Sequence, residues 1–516
     1  MKTDPAPPTK DAPRAPVHEA PVSDAEIRSV YLALMAVLGL GALDQSIVAT
    51  ALPRIVSDLG GMAHLSWVVT AYVLASTATM PLYGKLADQY GRRPMIFTAL
   101  ATFLIGSVLC GFAQTMPQLI AFRAIQGIGS GGFMPLAQII IGDLVPPQER
   151  ARRQGSIAIV FAVTSVLGPV LGGLMTDWLS WHWIFFINLP VGALAFYAIA
   201  HSLRKPARTH AHKIDYLGSV LLTVSITALL LILALGGTEW AWESPQIAVC
   251  AVLTVVLGGW LFVHLRRVPE PVLPPDLFQN RVFNIASIVM ALTFMGLMGA
   301  SVFFPLFFQL VMGSSPAHSG MMTVAMMVGM IGSSTLNGRV FSKSGKYKNV
   351  QLGGLAVAVL AFGALAWGMA IRQGYWVIEP AIFMLGAGLG LVMPNMTIAV
   401  QNALPQQRRG VGTAMLTFFR SFGGLLGVTG SGAILAHQLH AHGVAAVASA
   451  SAHGTAVAPV APAVQALTVA VYRQAIANIF GAGSLIVLAG LVALLFLPEL
   501  PLVGMKPVQE KTPAAE

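Results

Sequence analysis

Charge is what this 516-residue chain has least of. Asp, Glu, Lys and Arg make up 10% of it, where a soluble domain carries about 25%. So few charges cannot cover a water-facing surface of this size, and 56% of the residues are apolar. Soluble enzyme classes are excluded first. Cysteine is nearly absent too. Cys110 and Cys250 lie inside apolar runs, make no metal-ligand spacing and give no disulfide framework. There is no Gly-x-x-x-x-Gly-Lys-[Ser/Thr], hence no phosphate cradle for ATP-driven work. Residues 1–29 are polar and Pro-rich, without the order of a cleaved signal peptide, and read as a disordered cytoplasmic tail.

What is present is long runs without any charge. Residues 154–176, 178–203, 216–238, 244–265, 349–371 and 474–498 hold no Asp, Glu, Lys or Arg, and 282–338 is a double-length run. A bilayer-crossing helix needs about 20 such residues. The pattern predicts an all-α polytopic membrane protein with fourteen transmembrane helices. They fall near 30–53, 66–86, 94–114, 117–142, 154–176, 183–203, 216–236, 246–265, 283–311, 318–338, 350–371, 377–402, 410–436 and 474–497. With fourteen spans both termini share a side. On that side fall 25 of the 30 Lys and Arg, which places the termini in the cytoplasm. The formal net charge of +10 then reflects topology, and its dispersal over many segments argues against nucleic-acid binding.

The chain also repeats itself. Gly84-Lys85 … Gly91-Arg92 after the second span is echoed by Gly338-Arg339 … Gly345-Lys346 after the tenth. Gly127-x-Gly129-x-Gly131 … Met134-Pro135 is echoed by Gly386-x-Gly388-x-Gly390 … Met393-Pro394. The organisation expected is a six-helix bundle over 30–203 and a second over 283–498. Between them, 204–282 holds cytoplasmic linkers and two inserted helices. A periplasmic loop spans about 437–473, and 499–516 is a cytoplasmic tail. Repeated halves around a midplane site are the build of secondary transporters.

Several of these motifs resemble those of the major facilitator superfamily. Gly84-Lys-Leu-Ala-Asp88-Gln-Tyr-Gly91-Arg92-Arg93 is similar to its cytoplasmic loop motif. Leu119-x-x-x-Arg123-x-x-Gln126-Gly127 is similar to its fourth-helix motif, and Gly168-Pro169-x-x-Gly172-Gly173 to its antiporter motif. Leu43-Asp44-Gln45-Ser46 … Leu52-Pro53 and Trp183-Ile-Phe-Phe-Ile-Asn188-Leu-Pro190 resemble signatures of the fourteen-span drug:proton antiporters. The resemblance, over about 28–500, implies the major facilitator fold and two six-helix repeats plus two inserted helices. It implies no cofactor, the proton gradient being the energy source. It also implies that Arg123 couples proton and substrate events, and that Gly84, Asp88, Gly91, Arg92 and Arg93 form a conformational latch.

Asp44 is the sharpest single signal. It lies about 20 Å into the first span, where a carboxylate costs about 2.5–3.5 kcal/mol unless it faces the interior and has a function or partner. Arg123 lies at a similar depth in the fourth span, so the two can pair; Asp44 is the expected proton carrier. Gly168, Pro169, Gly172 and Gly173 are expected to form a flexing point. Gln45, Gln126, Met295, Met298, Met326 and Asn395 are candidates for a substrate cavity, Met because it repacks around varied apolar ligands. Glu379 and Arg420 are candidate second charges, Arg420 without an obvious acidic partner and able to snorkel. His437, His440 and His442 sit close together, but no metal site is expected there.

The reading that follows is a proton-coupled exporter of amphipathic drugs or toxic metabolites, working by alternating access and not an enzyme. A dedicated exporter of one natural product or siderophore is the alternative; a membrane-embedded enzyme or a pore fits less well. The expected setting is a bacterial inner membrane. Expected partners are the lipid bilayer, an amphipathic small molecule and protons, with a periplasmic adaptor and outer-membrane channel as candidates and the chain itself a monomer.

Overall fold

The computed structural model describes residues 24–60, 65–145, 147–202, 215–237, 239–314, 316–344, 347–372, 374–443 and 462–500. The expected tails over 1–23 and 501–516, most of the linker at 204–214 and the loop at 444–461 lie outside the described residues. The regular structure of the described residues is helical, apart from one isolated bridge between Gly236 and Trp240. The first half holds α1 (Asp24–Leu59), α2 (Leu65–Tyr90), α3 (Arg92–Gly111), α4 (Met116–Ser130), α5 (Phe133–Leu144), α6 (Pro147–Trp178), α7 (Trp183–Phe186) and α8 (Asn188–Ser202). A hairpin of α9 (Tyr216–Leu235) and α10 (Pro245–Leu265) follows. The second half holds α11 (Arg281–Leu306), α12 (Pro316–Ser344), α13 (Lys348–Ala370), α14 (Tyr375–Ala403), α15 (Arg409–Ala441) and α16 (Pro462–Leu495).

With α4–α5 and α7–α8 each read as one interrupted segment, a helical segment stands at each position expected of a span. Among the described residues, twelve are long and apolar enough to cross a membrane. The two that fall short are α2 and α12, the helices that carry the repeated Gly-basic motif at their ends. Both bury polar side chains: Ser76, Thr77 and Thr79 in α2, Ser334 and Asn337 in α12. Both also pack across the gap between the halves, α2 against α15 and α12 against α6. Close helix contact in a membrane favours small and hydroxyl residues over large apolar ones, which lowers the hydropathy of α2, whereas the described stretch of α12, Val324–Asn337, is apolar but short.

One expectation for the N-terminal tail is corrected. Helix α1 begins at Asp24, so 24–29 are ordered rather than disordered. Glu26 suits the positive end of a helix dipole, and Ile27, Val30 and Tyr31 pack into the first-half core. The halves have separate cores, and Leu74 and Ala78 of α2 join that of the second half. The α9–α10 hairpin lies over them. Asp215 caps α9 through Gly218 N–H at 2.8 Å and holds the end of α10 through His264 Nε2 at 2.7 Å. Thr429 of α15 donates to the Leu233 carbonyl at 2.7 Å, fixing the hairpin to the second half.

Candidate functional site

The deepest polar cluster is built by five elements of the first half. Asp44 on α1 and Arg123 on α4 are fully buried, and Arg123 Nη1 donates to Asp44 Oδ2 at 2.6 Å. The same nitrogen donates to Gln126 Oε1 at 2.7 Å, and Arg123 Nε donates to the Val68 carbonyl of α2 at 3.2 Å. The guanidinium stacks over Tyr72, 4.2 Å from its ring centre. On the other side of the carboxylate, Gln126 Nε2 and Asn188 Nδ2 donate to Asp44 Oδ1 at 2.8 and 2.9 Å. Asn188 also donates to Ser107 Oγ at 2.9 Å, and Ser107 to the Phe185 carbonyl at 2.8 Å. Helices α1, α2, α3, α4 and the α7–α8 segment thus meet on one ion pair.

A buried pair of opposite charges is tolerated only when the remaining donors and acceptors are satisfied. Here that is nearly achieved: the carboxylate accepts three bonds. The Asn188 Oδ1 and Trp181 Nε1 atoms are the exceptions, buried without a partner. Asn188, Ser107 and Tyr72 were not singled out as site residues from sequence. The available signal was a polar side chain inside a long apolar run, which spacing alone cannot assign to a partner.

A second cluster closes one end of the molecule. Asp88, at the end of α2, accepts the backbone N–H groups of Gly410 and Val411 at 3.0 and 2.8 Å. These are first-turn amides of α15, which have no partner within their own helix, so the carboxylate caps a helix of the opposite half. Arg92 Nη1 pairs with Asp88 at 2.8 Å, and Arg92 Nε with Asp143 at 3.0 Å. Burial pushes the Asp88 carboxyl up to about 6, against the pull of Arg92 and the two amides. Gly91 sits at φ 94°, open to glycine and strained for other residues, and lets α3 start one residue after α2 ends. Gly84 lies against Gly410: a Cβ there would stand 2.7 Å from the Gly410 carbonyl oxygen. Arg93 turns the other way and donates to the Ala200 carbonyl at 2.8 Å. Further bonds across the halves at this end are Gln401 Nε2 to the Gln138 carbonyl at 3.2 Å and Thr417 Oγ1 to Gln138 Oε1 at 3.4 Å.

The other expected site residues are placed less uniformly. Helix α6 runs unbroken through Pro169, so Gly168–Gly173 form no break. Gly168 packs on Ser46 and Gly172 on Thr50 and Ile47 of α1, while Gly173 faces open space. The small residues bring α6 and α1 together within one half. Gly423 and Gly427 of α15 do the same against the Ala291 and Met295 carbonyls of α11. Gln126 and Asn395 are bound into hydrogen-bonded clusters. Both are fully buried, Gln126 in the Asp44 cluster and Asn395 hydrogen-bonded to Asn337 at 3.1 Å. Gln45 is exposed, and Met326 is buried against α14 at Gly386. Met295 borders a cleft of about 410 Å³ between α11 and α15, and Met298 lies against Gly424. Glu379 is half-buried near the start of α14. The Arg420 guanidinium lies over the Phe294 ring, 4.9 Å from the centre.

Two helical halves joined at one end, with an ion pair buried inside one of them, match the two-halved build of secondary transporters. The family model described as Major Facilitator Superfamily matches residues 34–428, and the chain belongs to that family. Curated relatives include the multidrug transporter protein MdtP of Bacillus subtilis (strain 168), 39% identical over 404 residues, covering 78% of this chain and 74% of that protein. Multidrug resistance protein 3 of the same organism is 39% identical over 414 residues, covering 78% and 79%. Among solved structures, the human organic anion transporter MFSD10 superposes with a TM-score of 0.61 at 15% identity, covering 92% of this chain and all of that one. At that identity the likeness concerns the fold alone.

Proposed function

We propose that this protein is a proton-coupled exporter of amphipathic compounds that works by alternating access across fourteen membrane crossings. The observation that carries the reading is the buried Asp44–Arg123 pair. Export of drugs is supported by the names of the two relatives at 39% identity. Asp44 is the proton carrier. In the ionised state it binds α1 to α4 and to the α7–α8 segment through Arg123, Gln126 and Asn188. Protonation removes the charge that holds Arg123. The guanidinium keeps its bonds to Gln126 and Val68 but loses its ionic partner, so the tie between α1 and α4 weakens. That change is local to the first half and alters how α1, packed against α6, sits within it.

The Asp88 latch lies at the cytoplasmic end in this reading, which follows from the Lys and Arg distribution. The form described is then closed toward the cytoplasm by Asp88 and Gln138. Both termini are cytoplasmic, the membrane is a bacterial inner membrane and the working unit is one chain. The test is proton efflux from everted vesicles on adding candidate substrates. The parent chain should release protons and the Asp44→Asn variant should not. Equal release by both would remove Asp44 as carrier.

A further inference from the structure

Charge inside the bundle is almost wholly accounted for. Asp44 and Arg123 cancel, and Asp88, Arg92 and Asp143 neutralise one another's neighbourhood at the latch. Arg420 is the exception. Among the described residues it has neither a carboxylate partner nor a hydrogen bond; its contact is the face of Phe294.

Its depth excludes a headgroup role. Arg420 lies about 16 Å along α15 from Arg409, and Phe294 about 20 Å along α11 from Arg281, at 1.5 Å per residue. A hydrocarbon core about 30 Å thick puts the guanidinium close to the midplane. A long cation near a helix end reaches outward to water; this one is held inward over an aromatic ring.

Its direction is set by the helix. Thr413, Thr417, Arg420 and Gly424 recur at intervals of four, three and four and share one face of α15. Thr413 and Thr417 meet Gln401 and Gln138 at the closure between the halves. Gly424 is met by Met298 and Phe294. Arg420 therefore stands one turn beyond the closure on that face, with Met80 of the first half beside its neighbour Ser421.

No acid offsets it from the packed elements. Helices α9, α11 and α16 hold none over their described lengths. Asp88 of α2 and Asp143 of α5 are engaged by Arg92. Glu379 of α14 lies near the opposite end, about 36 Å along the helix from Ala403. An uncompensated intramembrane cation is costly and marks a functional site.

We infer that Arg420 is an anion-recognition point between the halves, with Phe294 and Met298 forming the apolar surface beside it. The ligand class is an amphipathic organic anion, a carboxylate or sulfonate head on a flat apolar body. The guanidinium fork matches such a head in shape and charge. Calling this ligand a substrate rests on the exporter reading; the binding site does not.

The test is calorimetric binding to the purified chain in nanodiscs, with empty discs subtracted. Two probes share one ring and differ in the sign of the head: naphthalene-1-sulfonate and trimethyl(1-naphthyl)ammonium. The parent chain should prefer the sulfonate. Arg420→Gln should weaken sulfonate binding at least about tenfold, the usual effect of losing one charge-assisted hydrogen bond. It should leave ammonium binding equal or tighter, and Arg420→Lys should keep part of the preference. No sulfonate binding by the parent, a parent preference for the ammonium, or an equal loss of both probes in Arg420→Gln would each overturn the assignment. Failure of proton-coupled export in vesicles with Arg420-dependent sulfonate binding intact would sink the exporter reading alone.

Discussion

The Asp88 carboxylate accepts the Gly410 amide at 3.0 Å, so the last turn of α2 caps the first turn of α15 across the two halves. Space at this contact is exhausted. A Cβ on Gly410 would collide with the Asp88 carboxylate, and one on Gly84 with the Gly410 carbonyl and Ala414. Gly410→Ala and Gly84→Ala should both pry the latch apart. Spin-label distances between α2 and α15 at this end should lengthen, and transport should fall more than tenfold, about 1.4 kcal/mol in the balance of conformers. Asp88→Asn keeps one acceptor oxygen and should be milder than Asp88→Ala. Unchanged distances in Gly410→Ala would show that the contact does not hold the halves together.

The latch should also respond to pH. Burial raises Asp88 to about 6 in the closed form, from 3.8 for a free carboxyl. Opening hydrates it and returns it toward the ordinary range, so opening releases a proton. The closed form binds the proton more tightly and is favoured as pH falls through 6; the gain is complete below the free value and absent well above 6. The same spin-label pair, read from pH 7.5 down to about 4.5, should report a growing closed fraction. Asp88→Asn should give a flat profile; a slope in that variant would place the titration elsewhere.

Removing one partner of the buried pair should be worse than removing both. Arg123→Ala strands Asp44 without a counter-charge and should cost about 3–5 kcal/mol of stability if Asp44 stays ionised. Asp44→Asn with Arg123→Gln removes both charges and should recover much of the melting temperature while remaining inactive in pH-driven export. Arg123→Lys keeps the charge but loses the fork and the stacking on Tyr72, and should hold part of the coupling. A double variant no more stable than Arg123→Ala would show that the loss is one of packing and not of charge.

The charge of the cargo should set the voltage dependence. One proton inward for one monovalent cation outward moves no net charge; a neutral cargo moves one and an anion two. Each moved charge adds about 2.3 kcal/mol per 100 mV. In proteoliposomes at fixed ΔpH, with the potential set by potassium and valinomycin, sulfonate export should respond about twice as steeply as neutral export. Cation export should not respond. Strong voltage dependence for a cation would require a second proton per cycle, with Glu379 as the first position to test.

How far the sequence alone could be read differs between the two sites. The Asp44–Arg123 pair was legible because a charge deep in an apolar run is rare and its depth can be counted along a helix. Asn188 and Ser107, which complete it, were not, because a neutral polar residue in a span carries no label of its partner. The latch motif was legible up to Arg93, but its receptor is a pair of backbone amides at Gly410 and Val411, and backbone has no residue type to find. Gly168 and Gly172 were visible as a motif, yet which helix they approach is a property of packing. The count of spans was blurred at α2, where contact between halves replaces apolar side chains by small polar ones.

The charged groups are divided between the halves: the ion pair lies wholly in the first, and Arg420 with Phe294 and Met298 wholly in the second. On the proposed reading, energy coupling and choice of cargo lie in separate stretches of the chain. A hybrid carrying residues up to 282 from this protein and the remainder from a relative should keep its dependence on the proton gradient and acquire the relative's cargo. The joint that must be preserved includes the packing of α2 on α15 and of α12 on α6, the Asp88 cap and the Gln138–Gln401 and Gln138–Thr417 contacts. On that reading such a chain can change what it exports without relearning how to drive it.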